Sequence, residues 1–180
     1  MTQPDRYAAF DGPRLLAAGT RGEIALAVKR ALEGGAAGPV LAFDPEGRQV
    51  DFDIRGAEDE MLARLEPPAE PRGRGRPRLG VVAREVTLLP RHWEWLSSQP
   101  GGASVALRKL VDQARASGEG ARRAARDNAY RFASAMAGDL PGFEEAMRAL
   151  YGGDDGRLEA LIAAWPADVA AHLRALAAAS

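Results

Sequence analysis

The chain has 180 residues and a mass of 19.1 kDa, room for one generous domain or two small ones, and its 46% hydrophobic and 27% charged residues indicate a packed globular protein. No apolar run approaches the roughly 20 residues that span a bilayer, and the lack of cysteine excludes disulfides, zinc ribbons, iron–sulfur clusters and thiol catalysis. The net charge of -1 is unevenly spread: residues 1–50 are balanced, 51–70 carry -5, 71–131 carry +8 and 132–180 carry -4. Met1 to Arg6 has neither the basic end nor the apolar stretch of a signal peptide, so a cytoplasmic protein with no membrane role is expected.

In chain order, Tyr7 to Phe10 and Leu15 to Ala18 read as strands joined by the turn Asp11-Gly12-Pro13. A helix follows, with Thr20 as cap and Glu23 three residues on. Ile24, Ala27, Val28 and Leu32 fall at helical spacing before Gly34-Gly35 ends it. Val40 to Phe43 and Val50 to Ile54 form a second hairpin around Pro45-Glu46-Gly47. In its second strand Val50, Phe52 and Ile54 alternate with Asp51 and Asp53. Two carboxylates at that spacing, with Asp44 nearby, suit a hard cation or an acid/base pair, and equally the wet face of an antiparallel strand. After a short helix around Glu58 to Leu65, residues 57–80 read as a linker rich in proline, glycine and arginine. From Arg91 onward the pattern is helical, punctuated by Gly118, Pro141, Gly152-Gly153 and Pro166, as expected of a bundle. The fold class is therefore α+β. The expected division is a small β-β-α-β-β unit (1–56), a linker with a basic arm (57–80), a strand-helix-helix segment (81–116) and a helical bundle (117–180).

Residues 72–116, within the basic stretch 71–131, carry the functional signal, because phosphate binding needs clustered charge rather than overall charge. Val81 to Leu89 is rich in β-branched residues and reads as a strand that Pro90 closes. Arg91 to Gln99 forms a short helix with Trp93 and Leu96 inward. Pro100-Gly-Gly-Ala-Ser104 is a turn whose last residue suits an N-cap, and Val105 to Ala116 is a helix with Leu107, Leu110, Val111 and Ala114 on one stripe and Arg108, Lys109 and Arg115 elsewhere. This order of elements resembles the ribbon-helix-helix family of bacterial DNA-binding repressors and antitoxins. The resemblance implies a homodimer in which two strands pair into a ribbon that enters the major groove, while the start of the second helix holds a phosphate. Carried over by position, Arg84, Val86 and Leu88 or else Glu85, Thr87 and Leu89 face the bases, and Ser104 with its neighbouring amides grips phosphate. With Val86 and Leu88 inside, the readers are Glu85 and Thr87.

Just upstream, Arg74-Gly-Arg-Pro77 within Pro71-Arg-Gly-Arg-Gly-Arg-Pro-Arg78 resembles the core of an AT-hook, whose arginines enter the narrow minor groove of A·T tracts. The expected DNA-binding set is thus Arg72, Arg74, Arg76, Arg78, Arg84, Thr87, Ser104 and Arg108. His92, Trp93 and Trp95 invite a stacking role, but tryptophan on a short amphipathic helix more often packs. His92 and His172 are the only histidines, and neither a nucleophile elbow, a Walker loop nor a dinucleotide fingerprint is present. No catalytic residue, metal or cofactor is assigned. Ala125, Ala129, Phe132 and Met136 mark the core face of a helix with Arg122, Arg123 and Arg126 on another face, and Leu158, Leu161, Ile162 and Trp165 form a further stripe. Such acidic, alanine-rich helices also suit a protein partner.

Long strings, among them residues 75–96, 99–111 and 135–146, resemble a bacterial family of unknown function numbered 2239. That resemblance implies a bacterial source and no chemistry. The leading expectation is a dimeric DNA-binding regulator; the alternative is a protein-interaction or small-ligand-binding module without a nucleic-acid role.

Overall fold

The computed structural model describes residues 6–65 and 84–178, which fall into two compact units, one built from residues up to 65 together with 120–178 and one from 84–119. In the first, β1 (Tyr7–Asp11), β2 (Arg14–Gly19), β3 (Val40–Phe43) and β4 (Gln49–Val50) form an antiparallel sheet in the order β2-β1-β3-β4. The helix α1 (Arg21–Glu33) connects β2 to β3, giving the expected β-β-α-β-β order. It starts where local chemistry dictates: the Thr20 hydroxyl accepts from the Glu23 amide while the Glu23 carboxylate accepts from the Thr20 amide at 2.8 Å, a reciprocal capping box.

The pleat decides what each face of the sheet meets. Ala8 pairs with Phe43 and Phe10 with Leu41 on one face; Ala9 pairs with Ala42 and Asp11 with Val40 on the other. Ala9 and Ala42 pack with Ile24 and Val28 of α1, joined by Val50, Phe52 and Ile54. The alternation of those last three residues therefore does place them on one apolar face. The ladder itself stops at Val50, however, so the strand expected over 50–54 is only two residues long. Of the two carboxylates beyond it, Asp53 is bound to arginines and Asp51 is exposed, and neither lies along a strand.

The opposite face holds Ala8, Phe10 and Phe43 against α5 (Glu119–Met136), α6 (Phe143–Gly152), α7 (Asp155–Ile162) and α8 (Ala167–Ala178). Phe10, Phe43 and Phe132 are fully buried with ring centroids 5.0–6.1 Å apart, and Met147, Leu150, Ile162, Val169 and Leu173 complete the core. The segments read separately as 1–56 and 117–180 thus share one hydrophobic core. Sequence periodicity reports which face of an element is apolar but not which other face covers it. Two polar ties reinforce the arrangement: the Leu15 amide donates to the Asp168 carboxylate at 2.9 Å, and the Arg131 guanidinium donates to the Glu46 carbonyl at 3.1 Å. Gly47, at φ 71°, sits so close to the Asn128 carbonyl that no Cβ fits.

The helix α2 (Glu58–Leu65) inserts a fully buried Met61, and Arg30 of α1 grips Glu58 with two nitrogens at 2.9 Å each. Among the described residues Asp11 is the buried charged side chain. Its carboxylate accepts from the Ala37 amide at 3.1 Å and the Gly38 amide at 2.6 Å, fastening the loop before β3 where Gly38 and Gly12 cross backbone to backbone. Asp11→Ala strands both amides and is expected to cost about 2–3 kcal/mol. Urea unfolding checks this, and a loss below about 0.5 kcal/mol refutes the clamp.

No helix among the described residues is long and apolar enough to cross a membrane.

Candidate nucleic-acid interface

The second unit consists of an irregular run, 84–89, followed by α3 (Pro90–Ser98) and α4 (Gly102–Ala116). Proline fits the first turn of α3 because its missing N–H would have no partner there. The turn between the helices closes at Gly101, which adopts φ 88° and serves as the N-cap of α4 without any side-chain cap. Ser104, expected to be that cap, instead lies in the first turn. Two glycines let the helix begin three residues earlier than its polar cap signal suggests, since only glycine takes the left-handed conformation at no steric cost. A Cβ on Gly101 would also lie 3.1 Å from the Val105 side chain.

Arg84 and Thr87 are exposed, as are Ser104 and Arg108, and the Arg108 Nε donates to the Ser104 carbonyl at 3.1 Å along one face of α4. Arg72, Arg74, Arg76 and Arg78 lie outside the described residues, as do Val81 to Ala83 of the expected strand. Residues 84–89 show no strand. A strand exists only through a neighbour, and β-branched composition cannot supply one; in the resemblance that motivated the expectation, the neighbour is a second chain. The structure brings Ser104 and Arg108 together, and no hydrogen bond or ion pair joins Arg84 or Thr87 to them.

The apolar side chains of this unit are the less expected finding. Leu96 is buried as predicted, but Trp93, expected inward, is 39% exposed, and Trp95 is 52% exposed. The helix α3 is only nine residues long, and tryptophans two positions apart in it cannot share one covered stripe. On α4, Leu110 and Val111 are 42% and 55% exposed, and every residue from Lys109 to Ser117 is exposed. Leu88, His92, Trp95, Leu96, Leu107 and Leu110 line an apolar groove of about 280 Å³ between the helices. The stripe on α4 was legible as a period. That it stays uncovered was not, because the pattern is the same for a helix in a core.

The model of a family described as "uncharacterized protein conserved in bacteria", DUF2239, matches residues 6–177. The chain belongs to this bacterial family. Neither a curated protein nor a solved structure matches the chain. The family description assigns no reaction, so the chemistry has to be read from side chains.

Among the alternative candidates in this family member, Asp53 and Asp44 are held by structural partners. Asp53 receives two nitrogens of Arg55, at 2.8 and 2.9 Å, with Arg64 at 3.8 Å, and the Arg55 hydrogen bonds hold its carboxyl well below the ordinary carboxylate range. Asp44 accepts from the Arg48 amide at 2.8 Å within the β3–β4 turn, and Asp51 is exposed. No group of three or more acidic or histidine side chains among the described residues is placed to hold a metal ion. His92 faces the groove of the second unit. His172 lies in the core of the first, its ring 4.6 Å from that of Phe132 and 5.5 Å from that of Phe10, with Nε2 buried and without a hydrogen-bond partner. Tyr151 donates to Asp127 at 2.9 Å, and burial followed by that bond pushes its phenol above the ordinary value.

Proposed function

We propose that this protein is a cytoplasmic, dimeric DNA-binding regulator whose second unit contacts DNA. The observation that carries the reading is a coincidence of charge with architecture. The stretch 68–119, which separates from the rest of the fold, carries nine basic against five acidic residues, a net +4, while the remainder carries -5. Phosphate attraction acts where charge is concentrated, and an acidic partner unit keeps the polyanion on the basic one.

In this reading Arg72, Arg74, Arg76 and Arg78 follow the minor groove as an arginine arm, supplying sequence-independent affinity. Arg84 and Thr87 belong to the segment that meets base edges when two copies pair. Ser104 and Arg108, exposed in the first two turns of α4, hold phosphate, helped by first-turn amides that no side chain caps. The first unit senses or positions, and its C-terminal helices dock a partner.

The test is fluorescence anisotropy of the full chain on mixed-sequence and A·T-rich duplexes between about 50 and 200 mM salt, where phosphate contacts lose most affinity. Steeply salt-dependent binding is expected. Replacing Arg74 and Arg76 with Ala should weaken binding to every duplex and flatten the logarithmic salt slope by about 2, roughly one unit for each lost phosphate neighbour. An unchanged slope refutes the arm. The apolar groove on α3 and α4 favours the second reading, a protein-interaction module, and absence of DNA binding at the lowest salt decides for it.

A further inference from the structure

We infer that two copies of this chain associate through the apolar stripe of α4, each laying Leu107, Leu110, Val111 and Ala114 into the α3–α4 groove of the other. This deepens the dimer reading above and rests on it for the two copies, but it places the contact on the helices and not on paired strands.

The hairpin cannot supply its own core. Of residues 84–119, Leu96 and Ala106 are the buried apolar side chains, and a helical pair of this length is below the size at which a single core sustains a fold. The half-exposed Trp93 and Trp95 with Val86, Leu89, Leu110 and Val111 leave roughly 500 Å² of apolar side chain uncovered in each copy. A stable dimer buries about 800 Å² per partner, of which somewhat over half is apolar, so the uncovered area is of the size one copy needs.

The chemistry of the face selects a second copy over a charged partner. Leu107, Leu110, Val111 and Ala114 fall at i, i+3, i+4 and i+7, and no charged residue lies within the stripe. The described hairpin holds five basic and four acidic residues, so a copy meets no strong like-charge repulsion, and a charged partner finds no side chain within the stripe to pair with. An antiparallel two-fold arrangement centred between Leu110 and Val111 sets Leu107 opposite the partner's Ala114 and Leu110 opposite the partner's Val111. Large side chains then face small ones across the axis. The groove of about 280 Å³, walled by Leu88, Trp95, Leu96 and Leu107, has space for the partner's Val111.

The experiment is sedimentation velocity of the full chain from about 1 to 100 µM in buffer of high ionic strength, for the unaltered protein and for Val111→Glu. Val111 is more than half exposed and glutamate is the better helix former, so the substitution leaves the single chain intact. Unaltered far-UV circular dichroism at low concentration checks this. A dimer is expected for the unaltered chain, with dissociation strengthened at least 100-fold by Val111→Glu. A strict monomer at 100 µM overturns the inference, and so does a Val111→Glu dimer of unchanged affinity. DNA anisotropy on the same samples separates the two proposals. A dimer that ignores DNA retires the regulator and leaves this interface standing. A monomer that binds DNA overturns this interface and the dimeric part of the regulator while leaving its DNA contact standing.

Discussion

Phe132→Ala is expected to remove about 3–5 kcal/mol of stability, the cost of an unfilled cavity at a site that cannot collapse. Phe132 is fully buried, and its ring lies 5.0 Å from Phe43, 5.4 Å from Phe10 and 4.6 Å from His172, so it touches both sheet strands and α8 at once. The surrounding groups belong to a sheet on one side and three helices on the other, and no single one of them can move inward without leaving its own partners. Domains are stable by only about 5–15 kcal/mol, so the substitution takes a large share of the total. At about 2–4 °C per kcal/mol for a chain of this size, the melting temperature should drop by roughly 6–20 °C. Thermal unfolding followed by far-UV circular dichroism checks it. A drop below about 2 °C would mean that the sheet and the C-terminal helices do not share this core. The same substitution should leave the second unit's association and DNA contacts unaltered at temperatures where the protein stays folded.

The second large effect is acid sensitivity centred on His172. Burial among Phe10 and Phe132, with no partner for Nε2, disfavours the charged imidazolium and pushes the group from an ordinary 6.5 down to about 4. The folded state therefore keeps His172 neutral while the unfolded chain takes up a proton below about pH 6.5. Stability from this group is complete above that pH and declines as pH falls toward 4, by about 3 kcal/mol over the window. The carboxylates held low by hydrogen bonds, Glu23 through Thr20 and both Asp53 and Glu58 through arginines, lose their stabilising effect mainly below about pH 4, so the two regimes separate. Urea unfolding between pH 4 and pH 7.5 should show the decline, and His172→Leu should flatten it while leaving stability near pH 7 little changed. A pH profile that is identical in the variant would exclude His172 as its origin.

How far each feature was legible follows the range of the interaction behind it. The capping box at Thr20 and Glu23, the proline start of α3 and the core stripe of α5 were readable because each is settled within one or two turns of chain. Their periods or caps are complete in the local sequence. The N-cap of α4 shows the limit of that reading, since Ser104 and Gly101 both carry a valid local signal and glycine's conformational freedom prevailed. Asp51 and Asp53 were legible as carboxylates two residues apart, but their role was not. The arginines that occupy Asp53 include Arg64, eleven residues away on α2. The candidate interface divides in the same way. The arginine arm is a pattern of the sequence, whereas the bare face of α4 comes from what fails to cover it.

The sequence by itself determined the α+β class, the β-β-α-β-β order of the N-terminal unit with helices after it, the core stripe of α5 and the concentration of positive charge in the middle of the chain, because these follow from composition and from periods shorter than a helix. Only the tertiary structure decided that the N-terminal sheet and the C-terminal helices close over one core, that Asp53 is bound to arginines, that His172 is shut in among phenylalanines, and that Trp93, Trp95, Leu110 and Val111 stay outside on α3 and α4. Those outcomes depend on which apolar face meets which, and side-chain periodicity is the same for a face that finds a partner within the chain and for one that does not.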